Sequence, residues 1–527
     1  MKQAKRIIPL SALTLAISVF AGGTAHAEWI KSYGTQNSEF GSVMPSSQGG
    51  YYLSMLSAPT TSGSKPSALL SLLNNNGNPS WTKKVTTGAY DTFFLNELSN
   101  GRILLQGTTQ QSSDGPGNAV WAIYNVNRTT GALSPVFRKT YKGKGDDQLF
   151  ITQDSQGVLW ATGSTTSFSQ DDKARDMILA KIDANTGIPA WSKVYHYGYD
   201  DSVVAFIPKG TKFILLANIQ TADAGSGKIL LGQLNNLGVP VSGSFKEYGG
   251  NGLNSAINIK PISGGNYLVY GKHQNSLDDQ NPTLFVMKLN SSLGYVWGKS
   301  YTAGADQGMY ITDVNENADK SLTLTANLNT TLYIDVGGMH IPFGTSSHPT
   351  AIQLSAAGVV TSTKSFEYQG VDSASLSRTD NGDYLLGGQT SDSIDPTKPV
   401  IPETDMLYGH FNATMAPTWV KTLGGQGIDS GFIRPQSTGY WLSGTTLSWG
   451  AGYMDVLAGK LDANGDVPGC KAINEVSMIE TTPLITAGNL GWQGQAATLV
   501  KKGAITNADI TLNVTNSSFK TTNVCSN

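Results

Sequence analysis

The chain repeats one pattern eight times, and this periodicity limits its fold more than any other feature. Each copy has an aromatic or polar residue, a lysine two positions later and usually a tyrosine two positions after that. The interval between consecutive lysines ranges from 52 residues (Lys31 to Lys83) to 65 residues (Lys299 to Lys364). A regular period of this length is the signature of a repeat architecture, in which stacked units share one continuous core.

The first position and the lysine are the most constant parts of the repeat. The first position holds tryptophan in five copies, at Trp29, Trp81, Trp191, Trp297 and Trp419. The lysine is present in all eight copies, at Lys31, Lys83, Lys139, Lys193, Lys246, Lys299, Lys364 and Lys421. Because these residues recur in every unit, we expect them to have a structural role in each.

A polar residue, usually acidic, follows each lysine by eight positions. These residues, called the acid marks below, are Glu39, Asp91, Asp147, Asp201, Asn254, Gln307, Asp372 and Asp429. A catalytic group has no reason to recur in every unit, so we expect the acid marks to accept hydrogen bonds from turn amides or to pair with lysines. The alternative is a ring of carboxylates around a central channel.

The rest of each unit predicts four short β-strands. Apolar segments such as residues 265–271 and 382–388 are bounded by Gly, Asn and Asp, which favour turns. Four strands in each of eight units predict an all-β fold, a β-propeller of about eight four-stranded blades, with seven as the alternative count. A β-solenoid or an array of β-sandwiches is the alternative architecture.

The sequence divides into three segments. Residues 1–27 begin with basic residues, continue with an apolar stretch and end on Ala25-His26-Ala27, which predicts a secretory signal peptide. Residues 28–470 contain the repeat and are expected to form the propeller, whereas residues 471–527 predict a small β-rich C-terminal tail. We therefore expect an exported protein, located outside the cell, at the cell surface or in the periplasm, with no membrane span.

The two cysteines of the chain both lie near its C-terminus. Since export implies an oxidising compartment, we expect a disulfide between Cys470 and Cys525 that ties the tail to the propeller, with two free thiols as the alternative. Without the basic residues Lys2, Lys5 and Arg6 of the signal, 33 basic residues remain against 38 acidic ones. This excess of acidic residues excludes a nucleic-acid-binding protein that contacts the phosphate backbone. The expected partner is an unknown extracellular protein, glycan or surface.

Two acidic segments are candidates for metal binding. Asp462, Asn464 and Asp466 have the alternating spacing of calcium ligands, although Ile473 stands where a bidentate glutamate is usual, and a plain turn explains them as well. Asp171, Asp172 and Asp176 form a second cluster that would attract a cation. Calcium is the one cofactor the residues suggest, and they predict no catalytic or cofactor-binding residue.

The repeat resembles that of secreted bacterial β-propeller proteins. Residues 461–470, Leu-Asp-Ala-Asn-Gly-Asp-Val-Pro-Gly-Cys, are similar to the ending of such repeat arrays, and residues 333–338, Tyr-Ile-Asp-Val-Gly-Gly, are similar to the seven-bladed β-propeller repeats called SBBP. The resemblance covers residues 28 to about 470. It implies a propeller and says almost nothing about activity.

A weaker resemblance is to the propellers of quinoproteins. Residues 183–191 match their Asp-x-x-Thr-Gly-x-x-x-Trp motif, but the corresponding segments of the other units depart from it. The ring of adjacent cysteines found in many such dehydrogenases is impossible with Cys470 and Cys525. We therefore keep a quinone-dependent dehydrogenase only as a minor alternative.

Regular repetition without a unique polar cluster favours a binding or surface-interaction module that has no catalytic activity of its own. The main alternative is a hydrolase or lyase that degrades an extracellular polymer. An enzyme is expected to bring carboxylates or a histidine from different blades into an axial pocket, whereas a binding module is expected to expose aromatic residues there.

Overall fold

A computed structural model describes most of the chain between residues 28 and 525. It leaves out residues 61–63, 113–114, 142, 144, 168–173, 222–225, 277–280, 305–306, 337–338, 369–370, 392–402, 491, 493–494, 498–499, 503–506 and 510. The predicted signal peptide lies outside the described residues, and so do Asp171 and Asp172.

The described strands pair into eight antiparallel groups of four strands, which we call blades 1 to 8. Single bridges between neighbouring groups and added outer strands join them into five larger sheets. The first strand of the chain is β1 (Trp29–Gly34). Blade 1 comprises β2 (Ser38–Pro45), β3 (Tyr51–Ala58), β4 (Ser67–Leu73) and β5 (Pro79–Thr86), and blade 2 comprises β6 (Tyr90–Glu97), β7 (Ile103–Gln110), β8 (Asn118–Val126) and β9 (Leu133–Tyr141). Blade 3 comprises β10 (Asp147–Gln153), β11 (Leu159–Thr165), β12 (Asp176–Ile182) and β13 (Pro189–His196). Blade 4 comprises β14 (Asp200–Lys209), β15 (Lys212–Gln220), β16 (Gly227–Asn235) and β17 (Lys246–Tyr248).

Blade 5 comprises β18 (Leu253–Pro261), β19 (Tyr267–Gln274), β20 (Thr283–Leu289) and β21 (Tyr295–Thr302). Blade 6 comprises β22 (Gln307–Glu316), β23 (Leu322–Val336), β24 (Met339–Leu354) and β25 (Val360–Glu367). Blade 7 comprises β26 (Val371–Arg378), β27 (Tyr384–Ser391), β28 (Asp405–Phe411) and β29 (Pro417–Leu423). Blade 8 combines β30 (Asp429–Gln436), β31 (Gly439–Thr446) and β32 (Asp455–Leu461) with β1. A 3₁₀ turn at Ser263–Gly265 is the one helical element among these residues, and no described helix is long and apolar enough to cross a membrane.

The blades close into a ring. β1 pairs with β32, so the start of the described chain supplies the outer strand of the last blade. Within the described part of the chain, one cluster of buried apolar side chains lies between each pair of neighbouring blades, and the pair formed by blades 8 and 1 has one too. Each blade therefore buries both faces against its neighbours, and the predicted all-β propeller is confirmed.

The recurring tryptophans join each blade to the next. Trp29, on the outer strand of blade 8, packs on Gly77 in the turn between β4 and β5 of blade 1. Gly77 has φ 71°, and a Cβ there would overlap the indole ring, so only glycine allows this contact. The Tyr33 hydroxyl donates to the Gly77 carbonyl oxygen at 2.7 Å. The equivalent pairs are Trp81 with Gly131, Phe137 with Gly187, Trp191 with Gly238, Trp297 with Gly358 and Trp419 with Gly465.

Two units have no aromatic residue at the first position of the repeat, and the next blade compensates for the lost side-chain volume. Ser244 and Ser362 occupy the tryptophan position, and in each case the following blade has a large residue in place of the turn glycine. These residues are Leu293, with φ 63°, and Met415, with φ 62°, and both are buried. The apolar volume lost from one blade is thus supplied by the next, which keeps the interface packed.

The C-terminal tail surrounds the ring. Its strands are β33 (Ile473–Glu475), β34 (Ile479–Thr481), β35 (Thr486–Asn489), β36 (Gln495–Ala496), β37 (Val500–Lys502), β38 (Asn507–Asp509), β39 (Asn513–Asn516) and β40 (Lys520–Asn523). Each adds a fifth, outermost strand to one blade, in the order 7, 6, 5, 4, 3, 2, 1 and 8. We call this tail the belt.

The recurring lysines and the disulfide hold the belt. Lys83 Nζ donates to Asn516 Oδ1 at 2.6 Å, and Lys421 Nζ lies 3.1 Å from Glu475 Oε1. Cys470 and Cys525 are bonded as predicted, with their Cα atoms 4.5 Å apart. Because the segment between these cysteines contacts all eight blades, the disulfide closes a covalent loop around the propeller.

Candidate functional site

The first strand of each blade lines the axis of the ring. Side chains of second strands bond directly to the first strand of the next blade: Gln106 Oε1 accepts from the Ile151 amide at 2.6 Å, and Asn218 Oδ1 accepts from the Ala256 amide at 2.8 Å. Along a first strand the side chains alternate between the core and the axis. The acid mark faces the core, and the residues one and three positions after it face the axial channel.

Apolar side chains line the channel. Phe94, Phe150, Ile257, Tyr310 and Phe432 each lie three positions after an acid mark, and Phe40 lies one position after Glu39. Their exposed fractions are between 38% and 49%. The rings of Phe94 and Phe150, from neighbouring blades, are stacked with centroids 6.0 Å apart. These six residues are called the apolar ring below.

A ring of neutral polar side chains lies nearer one face, at the channel mouth. It occupies the position directly after the acid mark in six blades and consists of Thr92, Gln148, Ser202, Ser255, Ser373 and Ser430. Gln148, Ser202 and Ser255 come from three consecutive blades and line a single cavity of about 650 Å³. Arg175, Asp200 and Asp201 line the same cavity. The channel mouth therefore offers hydroxyl, amide and charged groups, with Phe40 at the same level, above the other five residues of the apolar ring.

The acid marks support the loops at this face. In six blades the acid mark accepts a hydrogen bond from the amide four residues before it, for example Asp91 from Thr87 at 2.7 Å and Asp201 from Tyr197 at 2.6 Å. The same contact is made by Glu39, Asp147, Asp372 and Asp429. These contacts are the hydrogen bonds from turn amides that we expected because the acid marks recur in every unit.

Blade 6 extends furthest at the same face. Gln307 pairs with Thr330, and beyond this point β23 remains paired with β24 as far as Val336 and Met339. The sixth unit has the longest interval between lysines, and its additional length therefore lies on the face of the channel mouth.

The junction between blades 3 and 4 adds a histidine to two acids at the mouth. Asp176 begins β12, His196 ends the neighbouring strand β13, and Asp201 is the acid mark of blade 4. His196 Nδ1 lies 2.8 Å from Asp176 Oδ1. Asp176 and Asp201 are buried, His196 is partly exposed, and one potential ligand atom from each lies within 4.8 Å of the others.

Burial controls the electrostatics of this junction. It raises the pKa of Asp201 to about 6, and the nearby Asp176 carboxylate raises that pKa as well. The amides of Tyr197 and Gly198 and the neighbouring His196 act in the opposite direction. A carboxyl group with this pKa exchanges a proton near neutral pH, as general acids and bases do.

The predicted calcium residues lie in the turn after β32, at the position where the other blades have the turn between their third and fourth strands. Asp462 Oδ1 accepts from the amides of Asn464 and Asp466 at 2.8 Å, and Asp466 Oδ2 accepts from Lys421 Nζ at 2.8 Å. The turns between third and fourth strands are at the ring face opposite the mouth. Calcium binding at Asp462, Asn464 and Asp466 stays a prediction.

The meeting of His196 and Asp201 was not predicted. Asp201 was placed among the acid marks, and Asp176 was assigned to a loop cluster. One local signal could have drawn attention to His196, because it follows its lysine by three positions, where three other units have glycine, at Gly34, Gly249 and Gly424.

Comparisons with known proteins return structures and no sequence relatives. The sequence matches no family model, and it matches none of the curated proteins. Among solved structures, Drosophila plexin A in complex with semaphorin 1b is 8% identical, with 67% of this chain and 86% of that chain covered and a TM-score of 0.31. A xylan β-1,4-xylosidase from Bacillus halodurans is 11% identical, with 92% and 98% covered and a TM-score of 0.25.

A third structure, an endo-1,5-α-L-arabinanase from Thermotoga petrophila, is 10% identical, with 82% of this chain and 98% of that chain covered and a TM-score of 0.20. Similarity this low carries no argument about function. The functional argument therefore depends on the channel itself.

Proposed function

We propose that the protein is an exported binding module that holds a neutral glycan chain in its axial channel. The apolar ring carries this proposal. A folded protein gains stability by burying large apolar side chains, so six of them exposed around one channel indicate a surface meant to be covered by a ligand.

The chemistry of the channel fits a sugar. Pyranose rings present an apolar face to aromatic side chains and hydroxyl groups around their edge. The apolar ring supplies faces such as those of Phe94 and Phe150, and the mouth supplies neutral donors and acceptors such as Gln148 and Ser202. Ligand pockets commonly combine apolar walls with a few polar groups in this way.

Export is part of the same proposal. The N-terminal segment has the pattern of a secretory signal, and a disulfide between Cys470 and Cys525 is typical of oxidising compartments. We further infer that the units belong to the secreted bacterial propeller repeats that their sequence resembles. A glycan ligand outside the cell is consistent with both inferences.

The experiment is a glycan array probed with fluorescently labelled mature protein, residues 28–527. We expect binding to one class of neutral glycans and at least a tenfold loss of affinity in the double variant Phe94→Ala/Phe150→Ala. Tyr453→Ala is the matched control, because Tyr453 is a large aromatic residue that is 65% exposed and outside the apolar ring. Equal losses in both variants, or binding only to peptides in a parallel screen, would overturn the proposal.

A hydrolase is the second candidate, and the junction between blades 3 and 4 is the observation that favours it. Asp176 and Asp201 are carboxylates from different blades that lie beside His196 next to the cavity at the mouth. Two carboxyl groups on either side of a glycosidic bond are the usual requirement for its hydrolysis. Release of reducing ends from the bound glycan, abolished in Asp201→Asn, would establish this candidate over simple binding.

A further inference from the structure

We propose that Asp176, His196 and Asp201 bind a divalent transition-metal ion of the zinc class at the junction of blades 3 and 4. This site is separate from the apolar ring, and the proposal does not depend on the ligand that the channel holds. The ion would occupy the mouth of the channel, beside the cavity lined by Gln148 and Ser202.

The geometry brings three ligands, one imidazole and two carboxylates, to one point. One atom from each of the three side chains lies within 4.8 Å of the others. Zinc ligands lie about 2.0–2.2 Å from the ion, so ligand atoms around a tetrahedral ion are about 3.5 Å apart. Side-chain shifts of about an ångström would bring the three ligands to this spacing.

The charge of the junction also favours a cation. Two carboxylates that are almost fully buried lie close together here, and the repulsion between like charges in a buried site is reduced when a cation binds between them. Asp200 adds a third acid next to this pair, with its Oδ1 accepting from the Arg175 amide at 2.8 Å. A divalent ion would compensate the pair directly.

The ligand set selects the class of ion. One imidazole and two carboxylates suit zinc and similar first-row ions, whereas calcium and magnesium prefer oxygen ligands alone. Three protein ligands next to a cavity leave a position open for water or for a ligand hydroxyl group. The ion would then contact whatever enters the channel mouth.

Other junctions show that the histidine is a specific addition. Asp405 and Asp455 begin the third strands of their blades as Asp176 does, but the residue at the position of His196 is glycine in both. His273 provides the opposite case, because its Nδ1 lies 2.9 Å from the amide oxygen of Asn254 and no carboxylate takes that place. Among the residues that the structure describes, an imidazole and two acids come together at this junction alone.

The test is a zinc titration by calorimetry of the mature chain without a polyhistidine tag, after removal of metals with EDTA. We expect one tightly bound ion per chain and about a 100-fold loss of affinity in His196→Ala and in Asp201→Asn, since each removes a ligand. The matched control His273→Ala should bind zinc as the unchanged chain does.

X-ray absorption of the zinc-loaded unchanged chain gives a readout that does not depend on the folding of variants. We expect a first shell with one imidazole nitrogen and carboxylate oxygens. The proposal is overturned if the unchanged chain binds no zinc at micromolar concentration, if His196→Ala binds it equally well, if calcium is preferred, or if the absorption spectrum lacks the imidazole.

Discussion

The junction between blades 3 and 4 and the junction between blades 8 and 1 use the same strands to bring two acids together. At the first, Asp176 and Asp201 have His196 beside them. At the second, Asp455 and Glu39 are both buried, and burial together with the Glu39 carboxylate raises the pKa of Asp455 to about 6. The first junction carries a histidine next to a cavity. The second has Gly34 at the position of that histidine, and the nearby Lys520 lowers the pKa of Asp455.

Glycine explains the difference. At the junction of blades 8 and 1, Gly34 leaves the space that the Asp455 side chain fills, and a Cβ at Gly34 would overlap that carboxylate. Gly424 has the same relation to Asp405. His196 takes this position only where the aspartate side chain accommodates it. In a repeat protein, function is therefore to be sought where one unit departs from the pattern that the others keep.

The largest expected effect comes from filling the space at Gly34. Gly34→Ala places a Cβ against the buried Asp455 carboxylate, which the bond from Ala451 N to Asp455 Oδ2 at 2.7 Å holds in place. We expect the free energy of unfolding to fall by about 3 kcal/mol, as overpacking in a rigid interior does. Urea denaturation measures this, and a loss below about 1 kcal/mol would show that the two junctions do not differ in free space.

The next effect concerns pH. The pKa of Asp455 is about 6 in the folded chain, against an ordinary value of 3.8. Between these values the folded chain holds a proton that the unfolded chain releases, so this contribution to stability is present below about pH 4 and is lost as pH rises through 6. Asp455→Asn should remove about 2 kcal/mol of that decline, measured as the free energy of unfolding from pH 4 to 7.

The corresponding variant at the other junction is its control. Asp201 has a pKa of about 6 for the same main reason, burial, so Asp201→Asn in EDTA should flatten the decline in the same direction. A profile that neither substitution changes would contradict the electrostatic account of both junctions.

The smallest of these effects is expected from His196. His196→Ala in EDTA removes the partner of Asp176 at 2.8 Å and should lower the free energy of unfolding by about 1 kcal/mol. His273→Ala is the comparison, since His273 Nδ1 contacts the neutral amide oxygen of Asn254 at 2.9 Å where His196 contacts a carboxylate, and should cost less. A larger cost for His273→Ala would mean that the His196–Asp176 bond does not stabilise its junction.

Much of the ring was predictable because its signals are local. Trp29, Lys31 and Glu39 lie within a dozen residues of one another, and the same spacing recurs in every unit. The strands, their turns and the disulfide between Cys470 and Cys525 follow from such patterns. The apolar ring was less visible, because a phenylalanine such as Phe94 is equally compatible with a buried core position.

The belt and the metal-binding junction depend on contacts that no local pattern reveals. Belt strands have two to four residues, too few for a recognisable alternation. Their order became readable only from the register, in which Glu475, Asn489 and Asn516 lie opposite recurring lysines at multiples of about seven residues. His196 meets Asp201 only because blade 4 packs on blade 3.

Hydroxyl-radical footprinting of the mature protein, with and without the glycan selected from the array, tests whether the ligand binds in the channel. We expect the oxidation rates of Phe94, Phe150, Tyr310 and Phe432 to fall several-fold on binding, because these side chains form the exposed wall of the channel. Tyr453 should be oxidised at an unchanged rate. Protection of Tyr453 with no change in the four channel residues would contradict the claim that the ligand binds in the channel.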